Sequence, residues 1–435
     1  MTKFHLISLG CAKNTVDSHA IASLLSRKGF TATTDAQSAD AILVNTCGFI
    51  GAAREETLAV LQELADMKTH NQLLIAAGCM AQLFEQQIKN KIPEVDLVVG
   101  SQDWKTLPYQ ILNQIKPTGF NTQYDVPTVP RFAKQGASAY LEISQGCRRQ
   151  CAYCSIPLIK GTLHSRSKQD ILSDAQLLQK NAVNEIMVIG QDTSDYGNDL
   201  QVDYGLTDLL IDLLHTTPKV PWIRLLYSFP GVITDHFIEL MKTNPRFLNY
   251  LDIPLQHAHP EVLRSMNRPA NINRTKENLV RLREEIPDIA LRTTFIVGYP
   301  TEGDQEFQAL LDFITEIQFD RVGVFPFSFE ENTPSAALGD PVPQRIKVER
   351  VDALMQLQQN ISLSLNQNLV GSQLDVLIEG VDTTEQISIG RSYRDAPEID
   401  GLVFVTGIFE VGTFVTVKVT DALEYDLVAE PLNEN

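Results

Sequence analysis

Cysteine, tryptophan and basic residues are scarce in this chain, and long apolar runs are missing. No run approaches the ~20 residues needed to cross a bilayer as a helix. The N-terminus "MTKFHLISLGC" lacks both the extended apolar core and the small-residue cleavage site of a secretory signal, so a cytoplasmic protein is expected. That compartment is reducing, which makes disulfides the least expected use of the six cysteines. Lys and Arg number 36 against 54 Asp and Glu, a formal charge of −18. Such a balance argues against a broad surface for nucleic-acid backbone and favours a basic partner. No low-complexity tract is present. What remains is ordinary for a soluble protein, and 435 residues suffice for two or three domains.

Against this scarcity, "GCRRQCAYC" places Cys147, Cys151 and Cys154 within eight positions. Three thiolates in a C-x3-C-x2-C array suit a [4Fe–4S] cluster with one iron left open to an outside ligand. Structural zinc is the alternative, but it wants a fourth ligand, and the nearest candidate is His164, ten residues on.

The surrounding pattern supplies a scaffold. Residues 1–116 repeat strand, turn and amphipathic helix: "KFHLISLG" then "NTVDSHAIASLLSRKG", "DAILVNT" then "AAREETLAVLQELADMK", "QLLIAAG" then "MAQLFEQQIKNKI". This alternation predicts a doubly wound parallel sheet. Residues 117–132 read as a linker. From 133 to 366 six further strand-like runs alternate with helical stretches, which predicts an open, partial (β/α)6 barrel rather than the eight units of a closed one. A polar helix, about 343–369, leads out of it. Residues 367–435 carry four short alternating strands between Gly and Asp turns, as in a small antiparallel β-barrel of OB-like size.

Within the first segment, Cys11, Cys47 and Cys79 stand in "SLGC", "VNTC" and "AAGC", each just past a strand of its β/α unit. Equivalent strand ends in a parallel sheet line one edge, where ligand crevices form. The three can therefore converge on a second cluster; the plain alternative is three small buried residues, a common fate of free cysteine. A glycine beside each would let backbone approach a bulky group.

These motifs resemble the radical S-adenosylmethionine methylthiotransferases. "CRRQCAYC" matches the radical signature, and "LGCAKN" and "VNTCGF" match the family's amino-terminal domain. The resemblance covers the whole chain: a methylthiotransferase domain, a radical core and a carboxy-terminal TRAM barrel. "DIPLQHAHPEVLRSMNRP" and "GRSYRDAPEIDG" resemble the branch that modifies a ribosomal protein rather than tRNA. The resemblance implies two [4Fe–4S] clusters, on Cys147, Cys151 and Cys154 and on Cys11, Cys47 and Cys79. It also implies S-adenosylmethionine as cofactor, a 5′-deoxyadenosyl radical, and methylthiolation of the β-carbon of an aspartate in small-subunit ribosomal protein S-twelve. That acceptor is either free or within the assembled subunit. An electron donor such as flavodoxin or ferredoxin would serve a monomeric enzyme with no membrane and no direct nucleic-acid substrate.

The resemblance also implies softer contacts with the cofactor. Tyr153 matches an aromatic that flanks the adenine, with a packed tyrosine as the alternative. Gly190, Gln191 and Asp192 end the second barrel strand where the cofactor's amino group is met, although Asp192 also fits a turn cap. Gly298 permits close approach after the fifth strand, and Arg166 matches a basic residue. Arg148 stands where Asn is frequent and Lys160 where Arg is usual. Gln256 and His257 end the fourth strand and carry no assigned catalytic role.

Composition separates substrates independently of the resemblance. Between Gly371 and Asn435 there are three basic residues, Arg391, Arg394 and Lys418, against thirteen acidic ones. A tRNA methylthiotransferase acting on adenosine, the alternative substrate class, should carry a basic terminal barrel because phosphate contacts dominate such binding. An acidic barrel attracts a basic protein. A non-enzymatic iron–sulfur carrier, a further rival, would have no use for a six-unit rim.

Overall fold

The computed structural model describes residues 2–115 and 128–432. Most of the predicted linker, 117–127, lies outside the described residues. Five parallel strands form the first sheet: β1 (Lys3–Ser8), β2 (Thr31–Ala32), β3 (Ala41–Thr46), β4 (Leu73–Gly78) and β5 (Leu97–Gly100). Their order is β2-β1-β3-β4-β5. The strand order reverses between β1 and β3, the switch point where open α/β sheets bind ligands. All six residues of β3, "AILVNT", are buried, as a central strand covered on both faces requires.

The second unit begins with β6 (Phe132–Gln135), paired antiparallel to β7 (Ser138–Glu142). A short ribbon of β8 (Ser144–Gln145) and β9 (His164–Ser165) follows. The remaining strands are β10 (Glu185–Ile189), β11 (Trp222–Leu225), β12 (Tyr250–Asp252), β13 (Ala290–Val297) and β14 (Arg321–Pro326). Six of these, β7, β10, β11, β12, β13 and β14, are the six predicted barrel strands. They run parallel in two arcs, β7-β10-β11 and β12-β13-β14, joined by a single bridge from Ile223 to Phe247. The barrel stays open beside β14, whose Phe325 is 49% exposed.

The polar helix Gln344–Gln367 leads to a closed barrel of β15 (Gln373–Asp382), β16 (Ile387–Arg391), β17 (Val403–Thr406), β18 (Phe414–Ala422) and β19 (Leu427–Pro431). The sequence pattern predicts only the first four. The fifth, β19, closes the barrel by pairing parallel to β17, so the sheet is not wholly antiparallel.

The segment 391–400 of this barrel plugs the lower end of the core. Arg391 pairs with Glu185 at 2.6 Å, Asp395 with Arg321 at 2.6 Å and Asp400 with Arg292 at 3.3 Å, while Arg394 pairs with Asp320. The "GRSYRDAPEIDG" motif is thus an ionic stopper. Among the described residues, no helix is long and apolar enough to cross a membrane.

Candidate functional site

The first three cysteines sit at the same relative place. Cys11 is the N-cap of helix Ala12–Arg27, Cys47 follows β3 directly, and Cys79 opens a short helix after β4. Asn14 ties the three strand ends together. Its amide donates to Leu9 O (2.7 Å) and Thr46 O (3.2 Å), and its Oδ1 accepts from Cys79 Sγ (3.5 Å). The adjoining glycines are required by the packing of the protein itself. A Cβ on Gly10 would stand 2.8 Å from Cys47 Sγ, one on Gly48 2.6 Å from Met80 Cα, and one on Gly78 2.3 Å from Asn45 Oδ1. They let protein approach protein, drawing the cysteine-bearing turns together.

Cys147, Cys151 and Cys154 lie on the loop after β8, over the barrel rim. The Arg149 amide donates to Cys147 Sγ (3.4 Å), and Arg268 Nη1 reaches Cys151 Sγ at 3.8 Å. Both arginines stack on Phe229, at 4.0 and 4.2 Å from its ring centre.

All six cysteines line one cavity of about 660 Å³. A second, of about 740 Å³, adjoins it and shares Tyr153, Gln256 and Phe325. Ion pairs lock the two halves together: Asp17 of the first helix meets Arg131 at 2.5 Å and Lys160 at 2.6 Å, and Arg54 meets Glu330 at 2.6 Å.

The donor set fits iron–sulfur chemistry. Among the described residues, no three His, Cys, Asp or Glu side chains stand close enough to grip a single metal ion. Three thiols in each set, with no fourth protein ligand beside them among the described residues, suit a cluster that leaves one iron open better than structural zinc, which takes four protein ligands. Burial pushes Cys79 and Cys154 up to about 12 and Cys147 up to about 11, and raises Cys47 too. Thiolate ligation therefore releases protons as metal enters. Gln191 Oε1 and Arg268 Nε are buried without hydrogen-bond partners, and both residues line the cavity, so a polar ligand there has partners waiting.

The softer candidates divide. Tyr153, Gln191 and Asp192 line the cavity; Gly190, Arg166 and Gly298 do not line it. Tyr153 also packs against the cluster of Met266, Tyr299 and Phe327. Asp192 accepts from Ser194 N (3.1 Å) as a turn cap while pairing with Arg149 (2.8 Å). Arg166 is occupied by Asp174 and Glu142 O, each at 2.6 Å. Gly190 leaves room for Ser144, and Gly298, at φ +70°, leaves room for Lys347. Arg148 is taken by Asp195 at 2.5 Å, and Lys160 by Asp17. His257 is fully buried: its Nδ1 accepts from the His259 amide, so Nε2 carries the proton given to Glu302 (2.9 Å).

Sequence reasoning missed Lys13, Asn14, Arg149, Tyr227, Phe229 and Arg268 on the cavity wall. For Lys13 and Asn14 a signal existed, since both lie within four residues of Cys11. Arg149, between Cys147 and Cys151, had the same signal, whereas Tyr227, Phe229 and Arg268 come together only through the fold.

Comparison with known proteins gives consistent neighbours. Residues 3–100 match the uncharacterized protein family UPF0004, residues 141–314 the Radical SAM superfamily, and residues 370–432 the TRAM domain. The ribosomal protein uS12 methylthiotransferase RimO of Roseiflexus sp. (strain RS-1) is 44% identical, over 98% of this chain and 97% of its own. That of Chloroflexus aurantiacus is also 44% identical, over 99% and 100%. Among solved structures, the radical S-adenosylmethionine methyltransferase TsrM from Kitasatospora setae, with cobalamin and a [4Fe-4S] cluster bound, aligns with a TM-score of 0.55. It is 13% identical and covers 86% of this chain and 79% of its own, a likeness of fold.

Proposed function

The chain belongs to the ribosomal protein uS12 methylthiotransferases of the RimO family, and on that premise we propose how its two cysteine sets divide the reaction. As a radical S-adenosylmethionine enzyme it uses an iron–sulfur cluster and S-adenosylmethionine. Cys147, Cys151 and Cys154 would hold one [4Fe–4S] cluster, and Cys11, Cys47 and Cys79 a second. Together with S-adenosylmethionine these groups supply the radical and the sulfur and methyl to be transferred, chemistry too demanding for side chains alone.

The protein's own residues bind and orient. Tyr153, Gln191 and Asp192 would meet the cofactor on the core side of the cavity. Residues 1–116 form the sulfur-carrying unit, 117–132 the linker, 133–366 the radical core and 367–435 the TRAM barrel. The acceptor carbon is the β-carbon of an aspartate in uS12. Electrons would come from a donor such as flavodoxin or ferredoxin, and the enzyme would act in the cytoplasm as a monomer.

One observation carries this reading: six thiols from two separate sheets face a single cavity, so hydrogen removal and sulfur delivery can share one substrate atom. A tRNA substrate is disfavoured by the acidic terminal barrel. Its buried pairs consume Arg391 and Arg394 against Glu185 and Asp320, leaving Lys418 as its exposed base.

The test is mass spectrometry after anaerobic reconstitution, with S-adenosylmethionine and a strong reductant, offering uS12 and bulk tRNA side by side. A methylthio mass gain on a uS12 aspartate with tRNA unchanged is expected. A gain on tRNA alone contradicts the substrate assignment, and no gain on either contradicts the reaction.

A further inference from the structure

Lys13 occupies a place that helix stability disfavours. It is in the first turn of helix Ala12–Arg27, which has no acidic residue there, and a cation at a helix N-terminus opposes the macrodipole. Among the described residues its ammonium makes no ion pair within 4.0 Å and no hydrogen bond. It sits over the Tyr227 ring, whose centre lies 3.0 Å from Nζ. Tyr227 is itself held at φ +60°, a conformation costly for a bulky side chain. Its backbone is fixed on both sides, by Asp252 Oδ2 (3.1 Å) and by Thr193 N (3.1 Å). The fold thus spends stability to hold a cation over an aromatic face inside the reaction cavity.

The charges around it leave this cation available. Burial disfavours its charge and lowers its pKa, while the nearby carboxylates of Asp252 and Glu142 favour it; both are already paired, with Arg292 (2.9 Å) and Arg131 (2.8 Å). Lys13 lines the same cavity as the thiols of both sets, Cys11 of one and Cys154 of the other among them. An atom that is to lose hydrogen on one side and gain sulfur on the other must lie in the same cavity. In an aspartate side chain the carboxylate is one bond from the β-carbon. A cation that grips the carboxylate therefore also fixes the carbon.

We propose that Lys13 binds the side-chain carboxylate of the target aspartate and so selects an acidic acceptor. The inference rests on the uS12 reading above. Its test compares the reconstituted wild-type protein with Lys13→Met and Lys13→Arg, using synthetic peptides that span the uS12 target with aspartate or with asparagine at the acceptor position. Binding constants and iron content are the readouts. Lys13→Met removes a cation from the helix N-terminus, so the helix should be retained.

The wild type should bind the aspartate peptide at least about tenfold more tightly than the asparagine one, as for a charge-assisted bond. Lys13→Met should abolish that preference at unchanged iron content, and Lys13→Arg should keep part of it. A preference that survives in Lys13→Met overturns the inference. So does a loss of iron in that variant, which would assign the lysine to the cluster instead. A wild type that binds both peptides equally overturns the inference alone. A wild type that binds neither peptide and leaves uS12 unmodified overturns the uS12 reading as well.

Discussion

At the scale of single residues, the site depends on contacts too tight to admit any change. Gly10 has φ +92°, and an added Cβ would press on Cys47 Sγ at 2.8 Å. Gly10→Ala should therefore cost about 1–2 kcal/mol from the left-handed backbone alone and displace Cys47. The expected result is loss of the amino-terminal cluster with the core cluster retained, read by iron content and electron paramagnetic resonance. The six cysteines were legible as two sets because each set marks a strand end or a compact array. Tyr227 and Arg268 were not, because nothing local distinguishes a tyrosine past β11 from a packed one. Only tertiary placement puts it beneath Lys13.

At the scale of elements, charge pairs remote in sequence join the first sheet to the core. Asp17 is shared by Lys160 and Arg131, residues 143 and 114 positions away. Burial opposes its ionisation, yet Lys160 and Arg131 outweigh burial and hold its carboxyl below the ordinary value. Asp17→Asn leaves two buried cations short of a partner and should cost about 3–5 kcal/mol, measured by denaturant unfolding. The β/α alternation showed the six core strands and three of the strands in the first sheet. It missed β2, an edge of two residues, and β5, a strand of only four. It missed β19 because that strand ends in Pro431 and takes its identity from closing a barrel. No periodicity encodes a network such as Asp17's.

The junction between core and terminal barrel has its own pH signature. Burial alone would raise Glu185, but Arg391 and Arg224 hold it at about 2, against an ordinary 4.5. A depressed carboxylate stabilises fully above its unfolded value and loses that contribution as pH falls through the folded one. The Glu185 contribution should thus be intact above about pH 4.5 and disappear towards about pH 2. Glu185→Gln, which removes the ion pair of Arg224 and leaves Arg391 with Glu379 alone, should lose about 3–5 kcal/mol at neutral pH. A pH series of thermal unfolding on both proteins checks it: the difference between them should shrink on acidification across that window.

For the whole molecule, charge distribution governs the encounter with substrate. Glu410, Glu424 and Glu430 are exposed on the terminal barrel. Replacing all three with Lys should raise KM for uS12 several-fold with little change in kcat, and added salt should narrow the difference. An unchanged KM would assign those acids to solubility alone. The central claim, that two sheets bring two separate clusters to one cavity, is tested most directly by iron and sulfide analysis of reconstituted protein. The wild type should carry about eight irons. Alanine at Cys11, Cys47 and Cys79 together should leave about four, as should alanine at Cys147, Cys151 and Cys154, each with a distinct resonance signal. A wild type with about four irons, unchanged by loss of the amino-terminal cysteines, would contradict the account.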